Sequence, residues 1–422
     1  MSSKNFEDIK EEENISLKDF LIVAEIGKGA YGAVYLVKKN ELYFAMKAIS
    51  KTIFKNEINE GLILTEKKIL QNFNLDSSFP FIPRLKYSFQ DENNVYLITE
   101  FYQGGELYFH LKKVGHFNET ATKFYLAQIV LIIEYLHNNK IIYGDLKPEN
   151  LMLGTDGYLN LCDYGLSKYD YEIEKFITED GEIENKQINE NSDKIILGTP
   201  NYLSPEQTQK INNKDSKGKE IKYTNNLSYE DDIWGIGIVF YELITGECPF
   251  TSNDKKKLYN EISNNYSNLE FPVYLSENAK NLLMGLITNK DHRLKLPQIK
   301  QHPFFKSFQW DDILNKKMKA PFIPRLKSPI DLKYFNASFS DLSKECEEDN
   351  QKEDKKDYNY IFGFFFNYEK DFKTSNGSNY SLFSQTTSNE SIKGKLSTKL
   401  SSKNEGDSSS FNSLEFEKEQ IY

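Results

Sequence analysis

The chain has 422 residues, enough for two or three folding units, and its 39% hydrophobic and 14% aromatic content can build a sizeable core. Against 53 Lys+Arg it carries 63 Asp+Glu, a formal net charge of −10, which argues against general nucleic-acid binding, where cations must neutralise phosphates. Three cysteines are too few for a disulfide framework, no apolar leader opens the chain, and LAQIVLIIEYL (126–136) is too short for a bilayer; a cytoplasmic chain without a transmembrane segment is expected, with the nucleus in reach. Residues 1–17 read as a polar tail, and Ser2 stands where N-myristoylation would need glycine. From Asp19, FLIVAEIGKGAYGAVYLV and ELYFAMKAI alternate as paired strands, a charged segment over 57–71 has helical spacing, and NVYLITEF (94–101) is a further strand. After Gly104 and Gly105 the pattern turns helical over 106–113, 118–138, 228–246 and 276–289. Residues 309–368 read as irregular, and 371–422, with 13 serines among 52 residues, read as disordered.

Gly27-Lys28-Gly29-Ala30-Tyr31-Gly32-Ala33-Val34 sits between two strand-like segments, and its glycines would let backbone N–H groups approach a phosphate. A tight hairpin uses the same run, and a dinucleotide fingerprint would continue into a helix where a strand follows here. Twenty residues after Gly27, Lys47 ends an apolar strand that would otherwise avoid a charge, and Glu66 follows 19 residues later on the helix; their ion pair would hold the amine against nucleotide phosphates. A lone strand lysine is more often an edge residue whose head reaches solvent. In YGDLKPENL (143–151), Asp145 offers a carboxylate to orient an attacking hydroxyl and take its proton, and Lys147 offers a cation. Asn150, with Asp163 eighteen residues after Asp145, offers hard oxygens for Mg²⁺. A glycosidase carboxylate pair is the competing reading of two nearby aspartates, but it accounts for neither Lys147 nor the glycines.

GKGAYGAV, FAMK, YGDLKPEN, DYG (163–165), GTPNYLSPE (198–206), DIWGIG (232–237) and HRL (292–294) resemble the eukaryotic protein kinases over about residues 18–368. YGDLKPENLML, GTPNYLSPE, the Ala320-Pro321-Phe322-Ile323-Pro324 run and IFGFFF (361–366) resemble the AGC serine/threonine kinases, of the Akt, SGK and protein kinase C kind. The resemblance implies an α+β, two-lobed fold: a β-rich lobe over 18–102, a mainly helical lobe over 106–308, and a C-terminal tail over 309–368 before a Ser/Asn-rich segment, 369–422. It implies a monomer that transfers phosphate from ATP, with Mg²⁺, to protein Ser or Thr. Gly27, Lys28, Gly29, Gly32, Val34, Ala45, Lys47, Glu66, Glu100, Tyr102, Glu106 and Met152 would surround the nucleotide, and Thr99 would gate the back of its pocket. Asp145 and Lys147 would be catalytic, Asn150 and Asp163 would hold the metal, Glu206 would pair with Arg293, and Asp232 would brace the catalytic loop. Glu106, Glu149 and Glu242 would select arginine two or three residues before the acceptor, although any one of them is equally a solvated surface acid. Ile196, Pro200 and Leu203 would form an apolar shelf, and Leu166 matches members that favour Ser over Thr. Ile361, Phe364 and Phe366 would anchor the tail on the small lobe. A kinase-like scaffold that recruits partners through its tails is the alternative.

The departures are informative. Gly144 replaces the arginine before the catalytic aspartate, Ile195 the phosphorylated threonine and Leu62 a phosphate-binding histidine, while Lys168 matches a remaining partner; the expectation is that Leu62 and Ile195 substitute apolar contact for charge pairing. Asn201 stands where several relatives carry another acid, so substrate selection would loosen. Phe365 replaces a phosphorylated Ser or Thr and would add docking area. Residues 169–193, with nine acids and two lysines, form either a solvated insertion or an acidic gate for basic substrates, and 208–226 reads as a surface loop. Cys162, beside Asp163, reads as a small apolar filler more than a redox switch.

Overall fold

Period-two alternation folds the first part of the chain into β1 (Leu21–Gly29), β2 (Gly32–Lys39) and β3 (Leu42–Ser50), an antiparallel meander. The β2–β3 turn places Asn40 (φ 47°) and Glu41 (φ 63°) in the left-handed region, as a two-residue hairpin loop requires. The structure, a computed structural model, describes residues 15–29, 32–54, 57–170, 198–212, 227–335, 361 and 363–371. Helix α1 (Glu57–Asn72) crosses behind the sheet, and β4 (Leu85–Gln90) and β5 (Asn94–Glu100) complete its main body. Among the described residues the strand order is β1-β2-β3-β5-β4-β10, where β10 (Phe366–Asn367) comes from the far C-terminal side of the chain.

The larger lobe is built around two helices whose positions are buried nearly all round, as central helices must be. They are α3 (Glu119–Asn138), started by Asn118 accepting from the Ala121 N–H at 2.9 Å, and α5 (Tyr229–Thr245), started by a Ser228/Asp231 capping box. Around them lie α2 (Leu107–Val114), α4 (Pro205–Asn212), α6 (Lys255–Asn264), α7 (Glu277–Leu286), α8 (Leu296–Gln301) and α9 (Trp310–Leu314). Two short ladders, β6 (Ile141–Ile142) with β9 (Lys168–Tyr169) and β7 (Leu151–Leu153) with β8 (Leu159–Leu161), frame the loop between them. No helix among the described residues is long and apolar enough to cross a membrane.

The antiparallel small lobe and helical large lobe match the α+β expectation. The differences are local. The helix read over 276–289 stops at Leu286, because Ile287 leaves helical geometry (φ −92°, ψ 71°). Residues 208–212, expected in a surface loop, belong to α4, and the rest of that loop, 213–226, lies outside the described residues. The tail is less irregular than its composition suggests, since it contains α9, β10 and α10 (Tyr368–Asp371).

The tail also explains several glycines. A Cβ at Gly157 (φ 78°) would lie 2.0 Å from the Phe322 carbonyl oxygen, and one at Gly105 (φ 75°) would lie 2.5 Å from that of Tyr334. Farther on, Ile361, Phe364 and Phe366 are all buried on the small lobe. Gln90 both donates to the Ile361 carbonyl (2.7 Å) and accepts from its N–H (3.0 Å), Ser88 donates to the Phe364 carbonyl, and Lys67 of α1 donates to the Gly363 carbonyl at 2.7 Å. Phe365 does not add docking area as expected. It is 36% exposed, because strand-like alternation between buried Phe364 and Phe366 turns it outward.

Candidate active site

Strand β3 brings Lys47 to the cleft between the lobes, but Lys47 does not end it: the ladder runs on to Ser50, with Lys47 paired to Val34 and Leu97. Its Nζ lies 2.8 and 3.0 Å from the two oxygens of Glu66 on α1 and 2.8 Å from Asp163 Oδ1. Burial works against the Lys47 charge, but the Asp163 and Glu66 carboxylates outweigh it and raise its pKa. Burial pushes Glu66 up despite Lys47, whereas at Asp163 Lys47 overcomes the effect of burial and holds the carboxyl below its usual value. Asp163 adopts φ 59°, a strained conformation for a side-chain-bearing residue, and Tyr164 beside it is fully buried. Tyr164 packs edge-on against Phe73 at 5.1 Å and donates to the Leu161 carbonyl at 2.9 Å, so the buried ring fixes Asp163 toward the cleft.

Asp145 and Lys147 lie on the loop between β6 and β7. Lys147 Nζ is 2.7 Å from Asp145 Oδ2 and 2.7 Å from Thr199 Oγ1, which in turn donates to Asp145 Oδ1 at 2.9 Å. Asn150 donates through Nδ2 to the Asp145 carbonyl (2.8 Å) and carboxylate (3.2 Å), leaving its Oδ1 as an acceptor. Asp232 of α5 fixes the loop from below, accepting from the Tyr143 and Gly144 N–H groups at 2.9 Å each and facing His137 at 2.8 Å. Gly144 (φ 81°) lies under Leu227, whose Cδ1 would be 2.6 Å from any Cβ there. Arg293 grips Glu206 with two bonds of 2.7 and 3.2 Å and the Glu230 carbonyl with a third, so this pair joins α4, α5 and α7's end at a distance from the chemistry. A carboxylate, an ammonium and two further oxygen donors converging on one cleft can orient a hydroxyl and stabilise charge on a phosphoryl group.

Glu106, Glu149 and Glu242 come together beside this loop. Burial raises the pKa of each, with Glu149 adding to the rise at Glu106 and at Glu242. Glu242 is buried and accepts from the Tyr202 hydroxyl, while Glu149 Oε2 is buried without a hydrogen-bond partner. They are therefore not three independent solvated acids; burying carboxylates together is costly unless a cation can enter.

Residues 20–305 match the family described as Protein kinase domain. The chain belongs to the protein kinases. It is 36% identical over 339 residues to Protein kinase 2 of Dictyostelium discoideum, covering 78% of this chain and 63% of that protein. It is 34% identical over 367 residues to the RAC family serine/threonine-protein kinase homolog of the same organism (83% of this chain, 74% of that protein). It is 35% identical over 336 residues to the serine/threonine-protein kinase SCH9 of Saccharomyces cerevisiae (77% of this chain, 36% of that protein). The chain thus spans about a third of SCH9 and under two thirds of Protein kinase 2. These likenesses agree with the AGC resemblance of its motifs, and membership of the family implies the use of ATP.

In this kinase the glycine run frames the hairpin between β1 and β2. Gly27 pairs with Val34 across the β1–β2 hairpin, and a Cβ at Gly32 would meet the Ala48 carbonyl oxygen at 1.9 Å, so the turn closes tightly on β3. Lys28 and Gly29 are exposed at its tip; Ala30 and Tyr31 lie outside the described residues. Val34, Ala45, Thr99, Glu100, Tyr102, Glu106 and Met152 are half-buried, with Glu106 bridged to Met152. Burial, helped by Asp163 and Glu100, drives the Cys162 thiol upward, as a filler requires and a redox switch does not. Of the apolar shelf, Pro200 is half-buried, Leu203 is buried in the core with its Cδ2 3.1 Å from where a Cβ at Gly198 would lie, and Ile196 lies outside the described residues together with Ile195. Leu62 is half-buried, and the acidic run beyond Asp170 is also outside the described residues up to 197. Asn201 donates to the Phe250 carbonyl at 2.7 Å, a bond that commits its amide to the fold. Sequence reasoning missed Thr199, which bridges Asp145 and Lys147, and the tail residues Leu332 and Phe335. Leu332 packs with Ala24 and Leu36, and the Phe335 ring centroid lies 5.5 Å from that of Phe101, the residue after β5.

Proposed function

We propose that this chain is a protein serine/threonine kinase that transfers the γ-phosphoryl group of ATP to proteins carrying basic residues upstream of the acceptor, Ser in preference to Thr, within intracellular signalling. The observation that carries the reading is the hydrogen-bonded set of Asp145, Lys147, Thr199 and Asn150 in the same cleft as the Lys47–Glu66–Asp163 cluster. In the reaction the acceptor oxygen forms a bond to the γ-phosphorus as the bond to the β–γ bridging oxygen breaks; ADP departs and the hydroxyl proton passes to Asp145. Lys147 stabilises the transferring group, and Lys47, held by Glu66, binds the α- and β-phosphates.

The donor set suits Mg²⁺: Asn150 keeps an acceptor oxygen, and Lys47 holds the Asp163 carboxyl below its usual value against burial. Asn150 and Asp163 would hold the ion with nucleotide oxygens, since Mg²⁺ favours hard oxygens over an all-protein cage. When bound, it neutralises and orients the phosphate oxygens.

Basic selectivity rests on Glu106, Glu149 and Glu242. A guanidinium entering there would satisfy the orphaned Glu149 Oε2 and offset the burial, and the added charge of Glu149, that raise Glu106 and Glu242. Pro200 would receive the residue after the acceptor. A positional peptide library with labelled ATP tests this. Selection of Arg two or three residues before Ser, lost in Glu106→Gln, Glu149→Gln, supports it; equal labelling of acidic and basic peptides refutes it.

A further inference from the structure

We infer that Tyr169 is a positioning residue that ties α1 to the strand leading out of the Asp163 loop and so holds Glu66 against Lys47. It rests on the kinase reading and concerns how that site is kept aligned. The Asn72 amide donates to the Tyr169 hydroxyl at 2.7 Å, and Lys68 Nζ lies 5.0 Å above the Tyr169 ring. Lys68 and Asn72 are four residues apart and therefore share one face of α1, the first two residues and the second about 1.7 turns beyond Glu66. Both contacts converge on one buried side chain.

Tyr169 is anchored in its turn. Its backbone pairs with Ile141 in the β6–β9 ladder, immediately before the Tyr143–Asp145 loop. The next residue, Asp170, accepts from the Tyr229 hydroxyl of α5 at 2.6 Å, and its N–H donates to the Lys140 carbonyl at 2.9 Å. The tie therefore runs from α5 and β6 of the large lobe through Asp170 and Tyr169 into the last turns of α1. Moving α1 away from Lys47 must break it. Gly144 and Ile195 stand where the family resemblance leads one to expect an arginine and a phosphate acceptor. A tie made of a phenol, an amide and a cation over a ring needs neither.

The full chain, expressed and then stripped of phosphate by a phosphatase, provides the test. kcat and KM on a basic peptide, thermal stability and amide hydrogen exchange over 66–72 are measured for wild type, Tyr169→Phe, Asn72→Ala, the double variant and Asn72→Asp. One lost hydrogen bond in a partly buried site predicts that each single change lowers kcat by about five- to tenfold with peptide KM within about twofold. The double variant is no worse than either single one, since both remove one interaction. Asn72→Asp, to which the phenol can donate, keeps most of kcat. Exchange at 66–72 accelerates about tenfold in Tyr169→Phe, a readout independent of peptide phosphorylation. Were the wild type to phosphorylate no peptide, the proposed function would fall, and the exchange result would still decide the tie. Unchanged exchange and kcat in Tyr169→Phe, multiplicative losses in the double variant, or lower thermal stability with kcat intact would each overturn it. If Tyr169→Phe does not fold, the contrast between Asn72→Ala and Asn72→Asp decides the matter alone.

Discussion

Replacing Phe364 and Phe366 together by alanine removes two rings that are 0% and 1% exposed on the small lobe. At rigid core positions each deletion costs about 3–5 kcal/mol. Here the loss is capped, because the segment can leave as a unit. Burial of Ile361, Phe364 and Phe366 contributes roughly 1.5–3 kcal/mol each, and ordering the segment offsets much of it at about 1 kcal/mol per residue. A net docking energy of at most about 3 kcal/mol remains, so the double variant should melt up to about 6 °C lower, at about 2 °C per kcal/mol for a chain of this size. Undocking also removes the Lys67 bond to the Gly363 carbonyl, one residue from Glu66, so kcat should fall as α1 loosens. Scanning calorimetry and a peptide assay on the full chain measure both, with exposed Phe365→Ala as a control expected to change stability by less than about 0.5 kcal/mol. Unchanged melting and kcat in the double variant would refute the docking argument.

Other outcomes follow from single sites. Burial raises the Asp231 carboxyl to about 6, above its unfolded value of about 3.9, so the folded protein holds this proton more tightly and loses stability as pH rises between these values. The melting temperature of wild type relative to Asp231→Asn should therefore fall between about pH 4 and pH 6, and a flat difference there would contradict it. Gly144→Ala should destabilise by about 1–2 kcal/mol, because φ is 81° and Leu227 occupies the space, as urea unfolding can check. Cys162 should react with iodoacetamide at least about tenfold more slowly than a free thiol at pH 7.5 by mass spectrometry, its thiolate being disfavoured.

Much of the candidate site was legible because phosphoryl transfer demands few residue types at fixed spacing. Lys47, Glu66, Asp145, Lys147, Asn150 and Asp163 could be placed from that chemistry, and the structure brings them into one cleft. What escaped was long-range. Thr199 is an ordinary residue until folding places its hydroxyl between Lys147 and Asp145, 52 and 54 positions away in the chain. The tail around Leu332–Phe335 has no periodicity, and its signal is the space left by Gly105. Phe365 was misread because composition counts aromatics, whereas alternation along an extended segment decides which of them point inward.

The activity proposed for Asp145 and its hydrogen-bonded partners is phosphoryl transfer to a peptide hydroxyl. The most direct measurement is transfer of label from γ-labelled ATP to an Arg-rich Ser peptide by the full chain and by Asp145→Asn, with folding of both verified by circular dichroism. The wild type should incorporate label steadily and the variant should lose at least about a hundredfold, the contribution typical of a positioned general base. Equal rates in the two proteins, or no transfer by a folded wild type with Mg²⁺ present, would contradict it.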